Sequence, residues 1–167
     1  MHTERIHLPA MLLGGVGFYG DPFHQKGGWD SENEIGHAFE RFSAFAAQHS
    51  ERPYSSGREV LYELHIYGSE TQSKGRFEVF IGEEVNTPIL PIALCSKYLP
   101  AADYLKLTLF GDEISGDWWQ ALSTEILPSL RLKQSAPYII QTYDHRFKGT
   151  DRIAESVIDA YIPVEEI

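Results

Sequence analysis

An alternation of side-chain types marks the stretch Leu61 to Gly68, LYELHIYG, as a strand. Because successive side chains of a strand point to opposite faces, one face carries four apolar side chains, Val60, Tyr62, Leu64 and Ile66. The other face carries Leu61, Glu63, His65 and Tyr67, so that a carboxylate, an imidazole and a phenol stand in a line. We expect the apolar face to pack in a core, and the polar face to be solvated or to form one wall of a ligand cleft.

The rest of the first half predicts a strand, a helix and a further strand around this stretch. Residues 6–20 predict a first strand that ends in a glycine-rich tract. Ser31 and Glu34 form a capping box for a helix that runs to about Gln48. Residues 77–85, FEVFIGEEV, predict an antiparallel partner strand. The predicted helix has one apolar stripe at helical spacing, formed by Ile35, Phe39, Phe42, Phe45 and Ala46.

The second half repeats this pattern. Residues 104–110 predict a strand that points Leu105, Leu107 and Leu109 inward. Asp117 can cap a helix from Trp118 to about Leu127. The last two predicted strands are residues 138–144 and 157–164. The segment between the halves, about 86–103, contains three prolines and predicts an extended crossover with one short strand at 92–96.

Strand, helix, strand, strand therefore occurs twice, which predicts a single α+β domain over residues 1–167. Repeat one spans about 6–85 and repeat two about 104–167. We expect tandem β-α-β-β repeats that form one antiparallel sheet with two helices on one face. The opposite faces are expected to meet in a groove at the pseudo-twofold axis, which would be a central ligand cleft.

Composition and motifs narrow the classes of function. The formal charge is −10, from 24 acidic and 14 basic side chains, and no basic cluster is visible, so direct nucleic-acid binding is not expected. Cys95 is the only cysteine, and the sequence shows no signal peptide and no membrane span, so we expect a cytoplasmic protein. No HExxH, CxxC or paired histidines at ligand spacing occur, so neither a metal nor another cofactor is expected.

A glycine motif requires a separate interpretation. Gly15, Gly17 and Gly20 match G-x-G-x-x-G, which in dinucleotide-binding proteins leads directly into a helix. Here Asp21-Pro22 follows, so the context does not fit a nucleotide site. We interpret the segment as a strand whose glycines permit a close approach of neighbouring backbone or a bulge.

Several segments together resemble the GyrI-like small-molecule-binding domain, which is also the effector-binding half of AraC-type and MerR-type multidrug-sensing regulators. The resemblance covers nearly the whole chain. It implies a tandem β-α-β-β fold whose cleft, lined by aromatic rings and centred on a carboxylate, binds bulky aromatic and often cationic compounds. No helix-turn-helix segment is visible, so a free-standing member is expected. The resemblance is carried by GFYGDPF, ENEIGHAFERF, YELHIYG, YLKLTLFGD, the helix ending in LP and the closing IPV.

One position departs from the family pattern. Ligand-binding members carry a Glu two residues before a Tyr in the penultimate strand; Tyr143 matches that Tyr, but Gln141 occupies the Glu position. Glu63 is the candidate replacement, because Glu63-x-His65 in the first half corresponds to Gln141-x-Tyr143 in the second. An amide carries no charge, so the charge of the preferred ligand stays open.

Three hypotheses about function follow. The first is a cytoplasmic protein that binds an aromatic compound, with cations among the candidates. The second is a hydrolase that opens strained, cyclopropane-type natural products by means of a cleft carboxylate and an assisting tyrosine. The third is a regulator that binds a protein partner, as the gyrase-inhibitor members of the family are thought to do. The candidate ligand-binding residues are Phe18, Tyr19, Glu63, His65, Tyr67, Tyr104, Trp119, Gln141 and Tyr143; whether Trp118 or Trp119 faces the cleft is left open.

Overall fold

One antiparallel sheet connects almost all parts of the chain. The structure is a computed structural model that describes residues 1–24 and 33–167. In these residues the sheet has the strand order β1-β6-β9-β8-β3-β4-β2-β5, and β7 pairs with the end of β9. The strands are β1 (His2–Leu8), β2 (Met11–Gly20), β3 (Leu61–Ile66), β4 (Phe77–Glu84), β5 (Cys95–Leu99), β6 (Ala102–Phe110), β7 (Leu132–Gln134), β8 (Tyr138–Tyr143) and β9 (Val157–Glu166).

The strand order relates the two halves of the chain across the central β3–β8 pair. Outward from this pair, one half of the sheet consists of β3, β4, β2 and β5, and the other half consists of β8, β9, β6 and, at its edge, the N-terminal strand β1. In the β3–β8 register Glu63 lies directly opposite Gln141. The predicted α+β fold of two β-α-β-β units in one antiparallel sheet is confirmed.

The first predicted strand differs from the observed structure. Residues 6–20 do not form one strand, because the chain is interrupted at Pro9, which has no backbone N–H to donate to a ladder. β1 pairs with β6 of the second half, whereas β2 pairs with β4 and β5 of the first half. The crossover strand lies at Cys95–Leu99 rather than at 92–96, and β7 was not predicted.

The longest helix is α1 (Glu34–Gln48), which ends where the sequence predicts. Its N-cap is Asn33, whose side chain accepts a hydrogen bond from the backbone N–H of Gly36 at 2.9 Å; Ser31, the predicted cap, lies outside the described residues. No helix in the described part of the chain is long and apolar enough to cross a membrane. The other helices are α2 (Thr71–Lys74), α3 (Asp112–Ser115), α4 (Trp118–Ala121) and α5 (Leu127–Ser129), with a π-helical turn at Leu122–Ile126 and a 3-10 helix at Thr150–Glu155.

The second helical unit extends over residues 118–129, two residues beyond its predicted end. Asp117 caps it as predicted, because its carboxylate accepts a hydrogen bond from the backbone N–H of Gln120 at 3.1 Å. α1 packs on one half of the sheet, against a cluster around Val79 and Ile81. The second helical unit, together with α3 before it, packs on the other half, against a cluster around Leu107 and Ile158. Both helical units therefore cover the same face, which we call the helix face.

The opposite face of the sheet is core at its centre. Leu64, Phe80, Tyr104 and Ile140 are fully buried there and belong to one apolar cluster. The apolar side chains of β3 therefore pack in a core on this face, as the alternation predicts, but the expectation that the polar side chains of β3 line a groove on the face away from the helices is wrong for those side chains. The polar side chains of β3 lie on the helix face instead, between the two helical units.

The glycines of β2 allow a close approach to β4. Gly15 lies opposite Gly82, and a Cβ added at Gly15 would lie 2.1 Å from the carbonyl oxygen of Ile81. A Cβ added at Gly17 would meet nothing closer than 3.7 Å. The G-x-G-x-x-G match is thus strand structure with a close backbone contact at Gly15.

Replacement of Gly15 by alanine is expected to lower the free energy of unfolding by about 1–3 kcal/mol, because the new methyl group can be accommodated only by moving β4 backbone. The matched control is Gly17→Ala in the same strand, for which we expect a change below about 1 kcal/mol. Urea unfolding of the three proteins measures both effects. Equal stability of the two variants would contradict the close-approach argument.

Candidate ligand-binding site

A buried carboxylate lies at the centre of the helix face. Glu63 is 2% exposed, and its two oxygens contact three polar side chains. Oε1 lies 2.6 Å from Nε2 of His65 and accepts a hydrogen bond from Nε2 of Gln141 at 3.3 Å. Oε2 accepts a hydrogen bond from the hydroxyl of Tyr143 at 2.8 Å. We call these four residues the Glu63 cluster.

The two central strands of the sheet position the Glu63 cluster. His65 follows Glu63 by two residues and therefore shares its face of β3. Gln141 stands opposite Glu63 on β8, and Tyr143 lies two residues further along that strand on the same face. Register and alternation alone thus bring an imidazole, an amide and a phenol around one carboxylate.

Burial of a carboxylate is costly unless hydrogen bonds replace its hydration, and the three partners supply that replacement. The buried negative charge of Glu63 also affects the pKa values of the two nearby phenols, Tyr143 and Tyr67. Burial, then the negative charge of Glu63 and the hydrogen bond to it, raise the pKa of Tyr143 well above its ordinary value. Burial and then the charge of Glu63 also raise the pKa of Tyr67. Both phenols therefore stay protonated, and Tyr143 stays a hydrogen-bond donor.

Glu63 separates two cavities on the helix face. The first, which we call the α1 cavity, has a volume of about 350 Å³ and lies between α1 and the 3-10 helix. Its aromatic wall consists of Phe39, Tyr143 and Phe147. The ring of Tyr143 meets Phe39 and Phe147 edge to face, with centroids 5.1 and 4.9 Å apart.

The second cavity, the tryptophan cavity, has a volume of about 200 Å³ and lies beside α4. Its aromatic side chains are Phe23, Tyr67, Trp118 and Trp119, so both tryptophans face it. The ring of Tyr67 lies 6.3 Å from that of Trp119, centroid to centroid. The carboxylate of Glu63 is thus flanked on both sides by aromatic rings.

The charged side chains on the walls of both cavities are mostly acidic. Besides Glu63, the α1 cavity is lined by Glu40 and Asp151, and the tryptophan cavity by Asp117. Among the described lining residues there is no lysine or arginine, and His65 is the only basic side chain. A positive ligand would meet no cationic side chain there except protonated His65.

Six of the nine candidate residues come together at this site. Glu63, His65, Gln141 and Tyr143 form the hydrogen-bonded cluster, and Tyr67 and Trp119 line the tryptophan cavity beside it. The shared face of β3 and the repeat correspondence between β3 and β8 predicted the four polar members.

The structure does not bring the other three candidates to the Glu63 cluster. Tyr104 lies on the opposite face, fully buried, with its hydroxyl 2.7 Å from that of Tyr138. Tyr19 also points to the opposite face, where it is 61% exposed and donates a hydrogen bond to Glu70. Phe18 is on the helix face, but the register places Val79 between it and His65. The interpretation of these three as neighbours of Glu63 is corrected: strand parity excludes the two tyrosines, and an intervening strand excludes Phe18.

Sequence reasoning did not identify several residues that line the two cavities. Phe39 was interpreted only as part of the helical core stripe, although it also reaches Tyr143. Phe147 follows β8 in a turn closed by a hydrogen bond from its N–H to the Asp144 carbonyl, and no periodic pattern signals that turn. Within residues 1–24 and 33–167, no group of three His, Cys, Asp or Glu side chains is arranged to hold a metal ion.

No protein-family model and no curated protein sequence matches the chain. Solved structures do match. SAV2435 bound to tetraphenylphosphonium is 12% identical over 99% of this chain and 94% of that chain, with a TM-score of 0.70. The C-terminal domain of EcmrR is 11% identical over 99% of this chain and 98% of that chain, with a TM-score of 0.69. A hydrolase encoded by lin2189 from Listeria innocua is 13% identical over 98% of this chain and 91% of that chain, with a TM-score of 0.55.

Identities this low establish similarity of fold and nothing finer. The match extends over nearly the full length of both chains in each case, so it concerns the whole two-repeat sheet. The chain has the fold of the GyrI-like effector-binding domains, which confirms the resemblance predicted from its sequence at the level of fold.

Proposed function

We propose that this protein binds aromatic cations at the Glu63 cluster, with the aromatic groups of the ligand in the α1 cavity and the tryptophan cavity. One observation carries the proposal: a buried carboxylate lies between two aromatic cavities whose described walls contain no lysine or arginine. The proposal is supported by the similar fold of SAV2435, a protein bound to the aromatic cation tetraphenylphosphonium.

Two physical effects favour such a ligand. An aromatic ring attracts a cation over its face by about 0.5–2 kcal/mol, and more than one ring is available on each side of Glu63. The carboxylate supplies the opposite charge at a site shielded from water, where Coulomb attraction is stronger than in solution.

The position of the carboxylate supports the replacement proposed from the sequence. Directly opposed residues on antiparallel strands have Cα atoms about 4.5–5.5 Å apart. Glu63 therefore brings its charge to within one strand spacing of Gln141, the position where the family pattern places a Glu. In this protein Gln141 donates a hydrogen bond to that carboxylate rather than providing it.

The sequence also suggested a cytoplasmic location and a protein partner. The location stays a prediction. A protein partner is supported by no observation in the described residues, and we do not propose one.

A hydrolase is the second candidate function, because His65 contacts Glu63 at 2.6 Å in the arrangement by which a carboxylate orients an imidazole for general base catalysis. The fold is also similar to that of a hydrolase from Listeria innocua. In the reaction suggested by the sequence, the oxygen of water would bond to a strained ring carbon as the ring bond breaks and water gives up one proton. The electron pair of the broken bond would pass to the conjugated part of the electrophile, which then takes up a proton, so that the net change is addition of one water. The test is mass-spectrometric detection of the water adduct after incubation with a cyclopropane-bearing electrophile; absence of the adduct, or equal yields with wild type and Glu63→Gln, would contradict it.

For the binding proposal, Glu63→Gln is expected to weaken tetraphenylphosphonium binding by about 10-fold or more, because the amide keeps the size of the side chain but removes its charge. Isothermal titration calorimetry measures the dissociation constants. The matched control is Glu78→Gln, a glutamate on β4 that points to the opposite face and pairs with Lys97. Circular dichroism verifies that each variant is folded. Unchanged affinity in folded Glu63→Gln, or equal losses in both variants, would contradict the assignment.

The aromatic wall gives an independent expectation. Phe147→Ala should weaken tetraphenylphosphonium binding by about 5-fold, since one ring on the wall of the α1 cavity contributes about 1 kcal/mol to holding a cation. The control is Phe110→Ala, because Phe110 is 50% exposed at the end of β6 and lines neither cavity. The same calorimetric titrations report the result, and a weaker effect at Phe147 than at Phe110 would contradict a role of this cavity.

A further inference from the structure

We infer that His65 sets the charge preference of the site: in its protonated form it serves as an internal counter-ion for Glu63 and disfavours cationic ligands, and in its neutral form it leaves the carboxylate charge available to them. This inference rests on the proposed function and adds a control by pH. It also addresses the question that Gln141 left open in the sequence, namely whether cations are preferred.

The contact between the two side chains fixes where the imidazole gains and loses its proton. Nε2 of His65 lies 2.6 Å from Oε1 of Glu63, and the two side chains are 12% and 3% exposed. A carboxylate oxygen can only accept a hydrogen bond, so Nε2 keeps its hydrogen in both charge states. The proton that comes and goes is therefore carried by Nδ1, and its arrival changes the pair from net negative to neutral.

The surroundings make His65 the only described basic group that can offset Glu63 on these walls. The uncharged groups around it are the rings of Tyr67 and Phe77 on the same face of the sheet, and Gln141 and Tyr143 on β8. The charged side chains of the packed elements that line the cavities are acidic: Asp117 before α4 lines the tryptophan cavity with His65, and Glu40 on α1 and Asp151 in the 3-10 helix line the α1 cavity on the other side of Glu63. The basic side chains of these elements, His37, Arg41 and Arg152, are not among the described residues that line either cavity.

Two other histidines lie nearby but have a different partner. His24 and His37 both approach Glu34 at the start of α1, and their side chains are 58% and 45% exposed. Neither is among the described residues that line the two cavities. Both therefore face the carboxylate of Glu34 and not that of Glu63.

The direction of the pH effect follows from competition for one negative charge. At pH values below the imidazole titration, a cation entering the site meets a carboxylate that is already neutralised. At pH values above it, the carboxylate is uncompensated and attracts the cation. Binding of a permanently charged cation should therefore release up to one proton, which corresponds to a change in affinity of up to about 10-fold per pH unit within the titration range. A neutral ligand of similar shape should show no such loss on acidification.

The experiment titrates two probes into the whole protein, tetraphenylphosphonium as a fixed cation and triphenylphosphine oxide as a neutral compound of related shape. Calorimetry from about pH 5.5 to about pH 8.5 spans the range in which an imidazole titrates. Each pH is repeated in two buffers of different ionisation enthalpy, so that proton release is counted directly. The variants are His65→Gln and the matched control His7→Gln, since His7 forms a comparable 2.8 Å pair with Asp103 at an exposed surface site.

We expect wild type and His7→Gln to bind the cation more weakly as the pH falls and to release a proton on binding. His65→Gln should bind it with little pH dependence and no proton release, and circular dichroism verifies that this variant is folded. Cation binding by wild type that is independent of pH, or the same pH dependence in His65→Gln, would overturn the role of His65 and leave the binding proposal intact. Binding of neither probe at any pH would overturn both.

Discussion

The hydrogen bonding of one buried carboxylate organises the centre of this protein. Glu63 lies on the helix face of the sheet, where it is shielded from water. Its negative charge is tolerated there because the imidazole of His65, the amide of Gln141 and the phenol of Tyr143 contact its oxygens. Removal of any of these partners would leave a polar group without compensation in a region of low dielectric. The four residues lie on the central pair of strands, where each strand has a neighbour on both sides.

Much of the fold can be predicted from the spacing of apolar residues and from the residues that begin and end each element. The alternation in β3, the stripe of α1, the Asp117 cap and the recurrence of strand, helix, strand, strand were sufficient to predict the architecture. The break after β1 was not predicted, because the apolar residues on both sides of Pro9 suggest one continuous strand. A single sequence also does not show that β1 pairs with β6, because that pairing depends on contacts between residues far apart in the chain.

The site was predicted in part, for a definite physical reason. Alternation determines which side chains share a face of one strand, so Glu63, His65 and Tyr67 were grouped correctly. It does not determine which face the helices cover when both faces are rich in apolar residues, as they are here. The sequence therefore places the polar side chains of β3 on the face away from the helices, whereas they lie on the helix face. It also groups Tyr104 with Glu63, although Leu105, its neighbour, is the residue of β6 that faces the helices. Phe39 and Phe147 enter the site through tertiary packing that no local pattern encodes.

Because β1 pairs with β6, the two repeats are not independent folding units. This strand precedes the first repeat in the chain but forms the outer edge of the second, where it pairs with β6 over seven residues. The half of the sheet formed by β8, β9, β6 and β1 thus depends on segments from both ends of the sequence, so it does not correspond to a continuous, separable piece of chain. Although the architecture is duplicated, its unfolding should be a single cooperative event, and a cut between the halves would remove an edge strand from the one that follows it.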